Sequence, residues 1–208
     1  MWRLPDPDPG APGSLPDILA RRRTVREFAP ESVERAALAS LLWSGQGVSG
    51  QGRTVPSAGA LYPVALSVAV HRVDGLDPGV YEYRPQSHAL VRTGDREVRA
   101  VLAEAAFGPQ PWLRDAALVV AVTVDIDRVR AHFAEQPPTG RRGERYADME
   151  VGHAVQNMYL QATALDLGAV FVGGFDETRL MATHPELAPA NHRLRGLLAV
   201  GRAAVRRE

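Results

Sequence analysis

The sequence predicts an α+β fold with a mixed central sheet, flanked by helices and built around one long buried helix, and three stretches carry that expectation. Residues Ala117 to Val124 are almost unbroken apolar and β-branched, the pattern of a strand covered on both faces. Residues Arg145 to Leu167 spread Met149, Ala154, Val155, Met158, Leu160, Ala162, Ala164 and Leu165 around much of a helix circumference, which predicts a central buried helix ended by Gly168. Between residues 65 and 95 the runs ALSVAVHRV, GVYEYRP and HALVRTGD, the first two parted by a DG turn, read as a strand followed by an edge hairpin or meander.

The other elements follow in chain order. Residues 1–14 are too rich in Pro and Gly to sustain a helix or ladder and are expected to form a flexible arm, leaving residues 15–208 as a single domain. A first helix is expected from Leu15 to Arg22 behind Ser14. A second runs from Val33 to Trp43, with Ser32 as N-cap and Leu38, Leu41 and Leu42 on its buried stripe. A helix over Arg96–Ala106 precedes the apolar strand. After the central helix come a short strand at Ala169–Val172, a helix at Glu177–Ala182 and a last strand at Leu197–Val200. No internal repeat interrupts this order.

Composition removes several classes of function. The formal net charge is zero, so neither nucleic acid nor an anionic membrane is expected as a partner. All 24 cationic residues are arginine, and without lysine there is no internal Schiff base. Without cysteine there is no thiol catalysis, disulfide or thiolate metal site. No run of about 18 apolar residues predicts a spanning helix, and the acidic, Pro-rich N-terminus does not read as a secretory signal, so a cytoplasmic location is expected. The six histidines lack metal-ligand spacings, and no metal is expected. Gly45, Gly47 and Gly50 satisfy GxGxxG literally but follow a helix where a dinucleotide site needs a strand, so they are read as a mobile loop.

Two short segments carry more chemistry. In RRRTVREF an extended chain puts Arg22, Thr24 and Arg26 on one face, two guanidinium forks and a hydroxyl suited to a dianionic phosphate. A charge run alone reads more readily as solvated surface. In RTVPSAGALYP the small residues Pro56, Ser57, Ala58 and Gly59 form a turn that lets backbone N–H groups approach a flat polar ring.

With these pieces in order, the chain resembles the nitroreductase family, and within it the SagB-type, azoline dehydrogenase-like branch. The resemblance rests on the RRxxR-F stretch at 22–28, RTVPSAGALYP at 53–63, PGVYEYRP at 78–85, EVGHAVQNMYLQATALDLG at 150–168, GGF at 173–175 and AVG at 199–201, and so covers about residues 15–201. It implies a nitroreductase-like fold, a domain-interlocked homodimer, and FMN at the interface contacted by both chains. Carried over by position, Arg22, Thr24 and Arg26 match the phosphate and ribityl contacts, with Thr24 where serine is usual. Pro56, Ser57, Ala58 and Gly59 match the segment that contacts the isoalloxazine from the partner chain, and Gly173 and Gly174 match the backbone near flavin N5. Arg202, Arg206 and Arg207 are candidates for a basic residue past the last strand. In place of the Lys-Tyr pair of azoline-oxidising members stand His132 and Phe133.

The resemblance therefore implies an FMN-dependent oxidoreductase that dehydrogenates a small-molecule or peptide-derived natural-product intermediate, with His132, Tyr62 and Tyr146 as candidate bases. Two alternatives remain open at this level: a reductase of nitroaromatics or quinones that uses NAD(P)H as a diffusible reductant, and a non-catalytic flavin-binding subunit of a biosynthetic complex. For Gly152, His153, Gln156 and Asn157 in the central helix, structural hydrogen bonding is the expected role, and Tyr62, Tyr81, Tyr83 and Tyr146 are expected in core or pocket wall before any proton transfer.

Overall fold

The computed structural model describes residues 4, 5, 7, 8, 10–137 and 141–204. The short helix α1 (Leu15–Arg21) and the longer α2 (Arg35–Gln46) lead to a two-stranded hairpin of β1 (Val48–Ser49) and β2 (Gly52–Arg53). Then come β3 (Val64–Val70), β4 (Gly79–Arg84), β5 (Ala89–Gly94), α3 (Arg99–Ala105), α4 (Trp112–Asp115), β6 (Leu118–Asp125), α5 (Ile126–His132), α6 (Arg142–Ala164), β7 (Leu167–Val172), α7 (Glu177–Thr183) and β8 (His192–Arg202). Six strands form one sheet in the order β5-β4-β3-β6-β8-β7.

Every hydrogen-bonded pair in that sheet is antiparallel, where a mixed sheet was expected. The reason lies in the crossover. β6, α6 and β7 form a unit that runs β6 and β7 the same way, but β8 inserts between them and pairs antiparallel with both.

β6 is buried on both faces, as its unbroken apolar run requires. Val120, Val122 and Val124 join a core shared with α2 and α6, while Val119 and Ala121 face a second core under α3, α4 and α7. Tyr81 and Tyr83 belong to the first core, which matches their structural expectation.

Several boundaries moved for physical reasons. α2 begins at Arg35 behind Glu34, not behind Ser32. Val33 is already committed to a parallel bridge, its N–H donating to Arg72 and its carbonyl accepting from Asp74, and the Ser32 hydroxyl bonds the Asp74 carboxylate instead of capping. Gly45 lies inside α2 and the expected mobile loop is the β1–β2 hairpin.

α6 ends at Ala164, and the turn that follows uses Asp166 at φ +52°, not Gly168. Gly168 already sits in β7, where an added Cβ would lie 2.8 Å from the Val25 Cβ. Its bareness lets residue 25 hydrogen-bond along the sheet edge, the Val25 N–H donating to the Ala169 carbonyl at 3.0 Å.

Nor is α6 buried all round. Ala147, Glu150, Ala154 and Met158 face inward, whereas Asp148, Met149, Gly152, His153 and Gln156 form an exposed flank. Met149, expected inside, is 46% exposed. The N-terminal residues 10–14 make a turn against α1, the Gly13 N–H donating to Asp17; the rest of the expected arm is only partly within the described residues. Among the described residues no helix is long and apolar enough to cross a membrane.

Candidate active site

The PSAG turn is a strained loop fastened to the central helix. Pro56 is exposed, and a single 3₁₀ turn over Ala58–Ala60 leads into β3. Gly59, Ala60 and Tyr62 all have positive φ, at +61°, +52° and +49°, a conformation that non-glycine residues adopt only when their surroundings enforce it. Glu150 supplies that enforcement. Its Oε1 accepts the Ala58 N–H at 2.8 Å, and the Ser57 hydroxyl stands near enough to favour the charged form of the same carboxyl. Ser57 Oγ in turn accepts the Tyr62 N–H at 2.8 Å.

Glu150 is 5% exposed, and burial pushes its pKa up against the opposing pull of the Ala58 N–H, the Ser57 hydroxyl and His153. On the other side of the turn the Arg53 guanidinium stacks 5.1 Å from the Tyr62 ring centroid and donates to buried Gln46 at 2.8 Å. Tyr62 is thereby held against Arg53 beside the turn.

His132, the last residue of α5, faces the same turn. A Cβ added at Gly59 would lie 3.0 Å from His132 Nε2 and 3.6 Å from Phe133 Cζ, so only glycine admits the imidazole this close. Three rings stack edge to face: His132 on Phe133 at 4.6 Å between centroids, and Phe133 on Tyr146 at 4.9 Å. The Tyr146 hydroxyl donates to Gln136 at 3.1 Å. Two of the three candidate bases therefore share one cluster, with Tyr62 on the far side of the turn. Phe133 is buried in the stack and offers no hydroxyl.

The arginine stretch lies elsewhere, along the open edge of β7. Arg22 places its guanidinium 5.6 Å from the Tyr159 ring, which packs on the first core, and Arg26 places its own 5.4 Å from the Trp112 ring, which packs on the second. The single face inferred from period-two alternation is thus split, because each guanidinium follows an aromatic ring on a different side of the sheet. Exposed Thr24 sits between them on a cleft of about 390 Å³ formed with Arg23, Val25, Arg26, Glu27, Ala203 and Ala204. Gly173 and Gly174 continue β7 beyond Val172, exposed, with nothing nearer than 3.6 Å to an added Cβ. Arg202 is engaged with Glu34 at 3.4 Å, and Arg206 and Arg207 lie outside the described residues.

The two groups of residues do not meet in one chain. The turn leads into β3, which is separated from β7 by β6 and β8, three inter-strand steps or about 14 Å.

Two positions, Glu150 and Arg195, were not singled out from the sequence, and a third, Asn157, was read as structural alone. Glu150 could have been found, since it falls in phase with Ala147, Ala154 and Met158 on the buried stripe, where a lone carboxylate must have partners. Asn157, whose structural role was expected, ties α6 to the end of α2 and the hairpin by donating to Ser44 and Thr54 carbonyls at 3.1 and 3.0 Å. Arg195 left no local signal.

The chain thus presents a six-stranded antiparallel sheet crossed by one 23-residue helix, with a strained turn at one end and an arginine-bearing edge. A Ralstonia eutropha nitroreductase-type structure superposes with a TM-score of 0.76 at 26% identity, covering 97% of this chain and 89% of its own. The Escherichia coli microcin synthetase McbBCD complex, bound to truncated pro-MccB17, shares the fold at a TM-score of 0.76 and 19% identity, over 99% of this chain and 76% of that one. A Desulfovibrio desulfuricans structure in complex with FMN does so at a TM-score of 0.62 and 21% identity, over 96% and 93% of the two chains. In sequence, a nitroreductase homologue from Methanocaldococcus jannaschii is 40% identical over 168 residues, 80% of this chain and 81% of the relative. The sequence model of the nitroreductase family matches residues 19–202, and the chain belongs to that family of flavin oxidoreductases.

Proposed function

We propose that the protein is an FMN-dependent, SagB-type oxidoreductase that works as a homodimer and dehydrogenates a peptide or amino-acid-derived natural-product intermediate. FMN supplies the redox step when bound, by taking up hydride at N5. The residues fit that group. Thr24 and Arg26 border a cleft with guanidinium and hydroxyl donors of the kind a phosphate needs, Arg22 stands on Tyr159 at the same edge of β7, and Gly173 and Gly174 offer backbone without side-chain cover. Arg202 extends the same cationic edge. Pro56, Ser57, Ala58 and Gly59, about 14 Å away across the sheet, reach such a cofactor from a second chain, which the bare flank of α6 around Gly152 admits.

The observation that carries dehydrogenation is the approach of His132 Nε2 to Gly59. It gives the turn an imidazole placed to act as a general base toward a carbon or nitrogen held there, with Tyr146 behind it and Tyr62 opposite. A biosynthetic complex is in keeping with the fold shared with the microcin synthetase neighbour.

One specific observation favours a second reading, reduction of nitro or quinone substrates by NAD(P)H, namely the 40% identity to a protein named as a nitroreductase. Anaerobic rapid mixing separates the two. Fast bleaching of the flavin by NAD(P)H overturns the dehydrogenase reading, and sluggish bleaching supports it. Arg22→Ala combined with Arg26→Ala is expected to yield largely apo protein, each lost charge-assisted bond being worth about 1.5–3 kcal/mol. A fully yellow double variant refutes this phosphate assignment.

A further inference from the structure

Arg195 occupies an irregular point in β8. The register with β6 shifts there, so that Leu194 pairs with Thr123 and Gly196 with Val122, leaving Arg195 as the extra residue of a bulge. Leu194 and Leu197 face the second core. Gly196 faces the first, where the Phe171 ring fills the space a Cβ would take. The bulge turns the Arg195 side chain to that same side, toward α6, with Nε 3.8 Å from the Asp148 carboxylate.

That separation is too long for a hydrogen bond, and Arg195 Nε is buried with no hydrogen-bond partner among the described residues. Asp148 is 61% exposed, and at 3.8 Å it does not commit the guanidinium. The ladder then fixes where this fork stands. Val172 is opposite Leu197, so as β7 runs on into Gly173–Gly174, β8 arrives alongside through Arg195–Gly196. The backbone of Arg195 thus lies alongside the end of β7 and its bare glycines, with a partly desolvated guanidinium turned from there toward α6.

We infer that Arg195 is the recognition point for a carboxylate on the substrate, of the kind an amino acid or a peptide C-terminus carries. This rests on the proposed placement of the flavin along β7. A planar carboxylate can pair with the Nη groups, through which the 27% of the side chain left exposed is reached, and the distant Asp148 does not occupy them. Asp148 acts as a competing carboxylate that occupies the fork loosely until substrate arrives.

The test uses full-length protein as purified, in four forms: wild type, Arg195→Gln, Arg195→Lys and Asp148→Asn. FMN content is read first from the absorption spectrum, and equal loading is expected in all four. Each is then titrated with benzoate and with neutral benzamide, followed by calorimetry and by perturbation of the flavin bands. Benzoate is expected to bind wild type in preference to benzamide, to lose roughly tenfold or more in affinity in Arg195→Gln, to be partly retained in Arg195→Lys, and to gain in Asp148→Asn. Benzoate affinity unchanged in Arg195→Gln, or benzamide bound as tightly as benzoate, overturns the inference. A colourless wild type counts against the flavin reading instead, and calorimetry on the same preparation still reads Arg195 by the benzoate–benzamide difference.

Discussion

Gly143→Ala tests whether the contact between α5 and α6 sets both stability and the placement of His132. Gly143 lies in the first turn of α6, fully buried against α5. In an unencumbered helix the change would stabilise by about 1 kcal/mol, since glycine is the poorer helix former. Here the new Cβ would overlap the Val129 carbonyl oxygen, and would lie 2.6 Å from its carbonyl carbon and 3.1 Å from the Arg130 nitrogen. All three are backbone atoms of α5, so no side chain can rotate away, and α5 must retreat by roughly 1 Å to restore ordinary contact distances of about 3.5 Å. That opens a junction containing Ile126, Val129 and Ala147, each no more than 2% exposed. Overpacking of this kind costs about 3 kcal/mol at the upper end, offset by about 1 from helix propensity, for a net loss of about 2. In a chain of 208 residues this corresponds to a fall of about 4–8 °C in Tm. Thermal unfolding followed by circular dichroism, at matched protein concentration and flavin loading, measures it. An unchanged or raised Tm refutes the reasoning.

The Glu150 clamp has a pH signature. Burial raises its folded pKa above the ordinary 4.5, so between those two values the native state binds more protons than the unfolded chain, and stability present at low pH is lost as pH rises through the window. Denaturant unfolding is expected to show wild type losing stability relative to Glu150→Gln as pH climbs from about 4 toward neutrality, other groups cancelling in the difference; parallel curves would remove the effect. For the proposed dimer, Met149→Arg puts a charge on the exposed flank of α6 without touching the core. Sedimentation should then shift from dimer to monomer, and an unaltered dimer would show that α6 does not form the interface.

Much of the fold was legible because local pattern and environment agree. The unbroken run of β6 has no polar face to present to water, so it had to be central, and it is. The runs over GVYEYRP and HALVRTGD, read as part of an edge hairpin or meander, form β4 and β5 at the end of the sheet. Errors arose where a distant partner outweighed a local cue. Ser32 looks like a helix cap but is drawn to Asp74, and Gly168 looks like a helix stop but is there for the close approach of Val25.

The sequence by itself determined the family, the arginine stretch, the PSAG turn and the glycines after β7, because each is a contiguous run whose residue types state their chemistry. Only the tertiary structure decided how these stand to one another. It set Arg22 and Arg26 on aromatic rings of opposite cores, fastened the turn to Glu150, brought His132 against Gly59, and left the turn and the β7 edge three strand spacings apart. The physical reason is that strand order and helix phase are fixed by burying apolar surface over the whole chain. A segment's own residues specify what it can bond, but not which of the possible partners the closed core delivers to it.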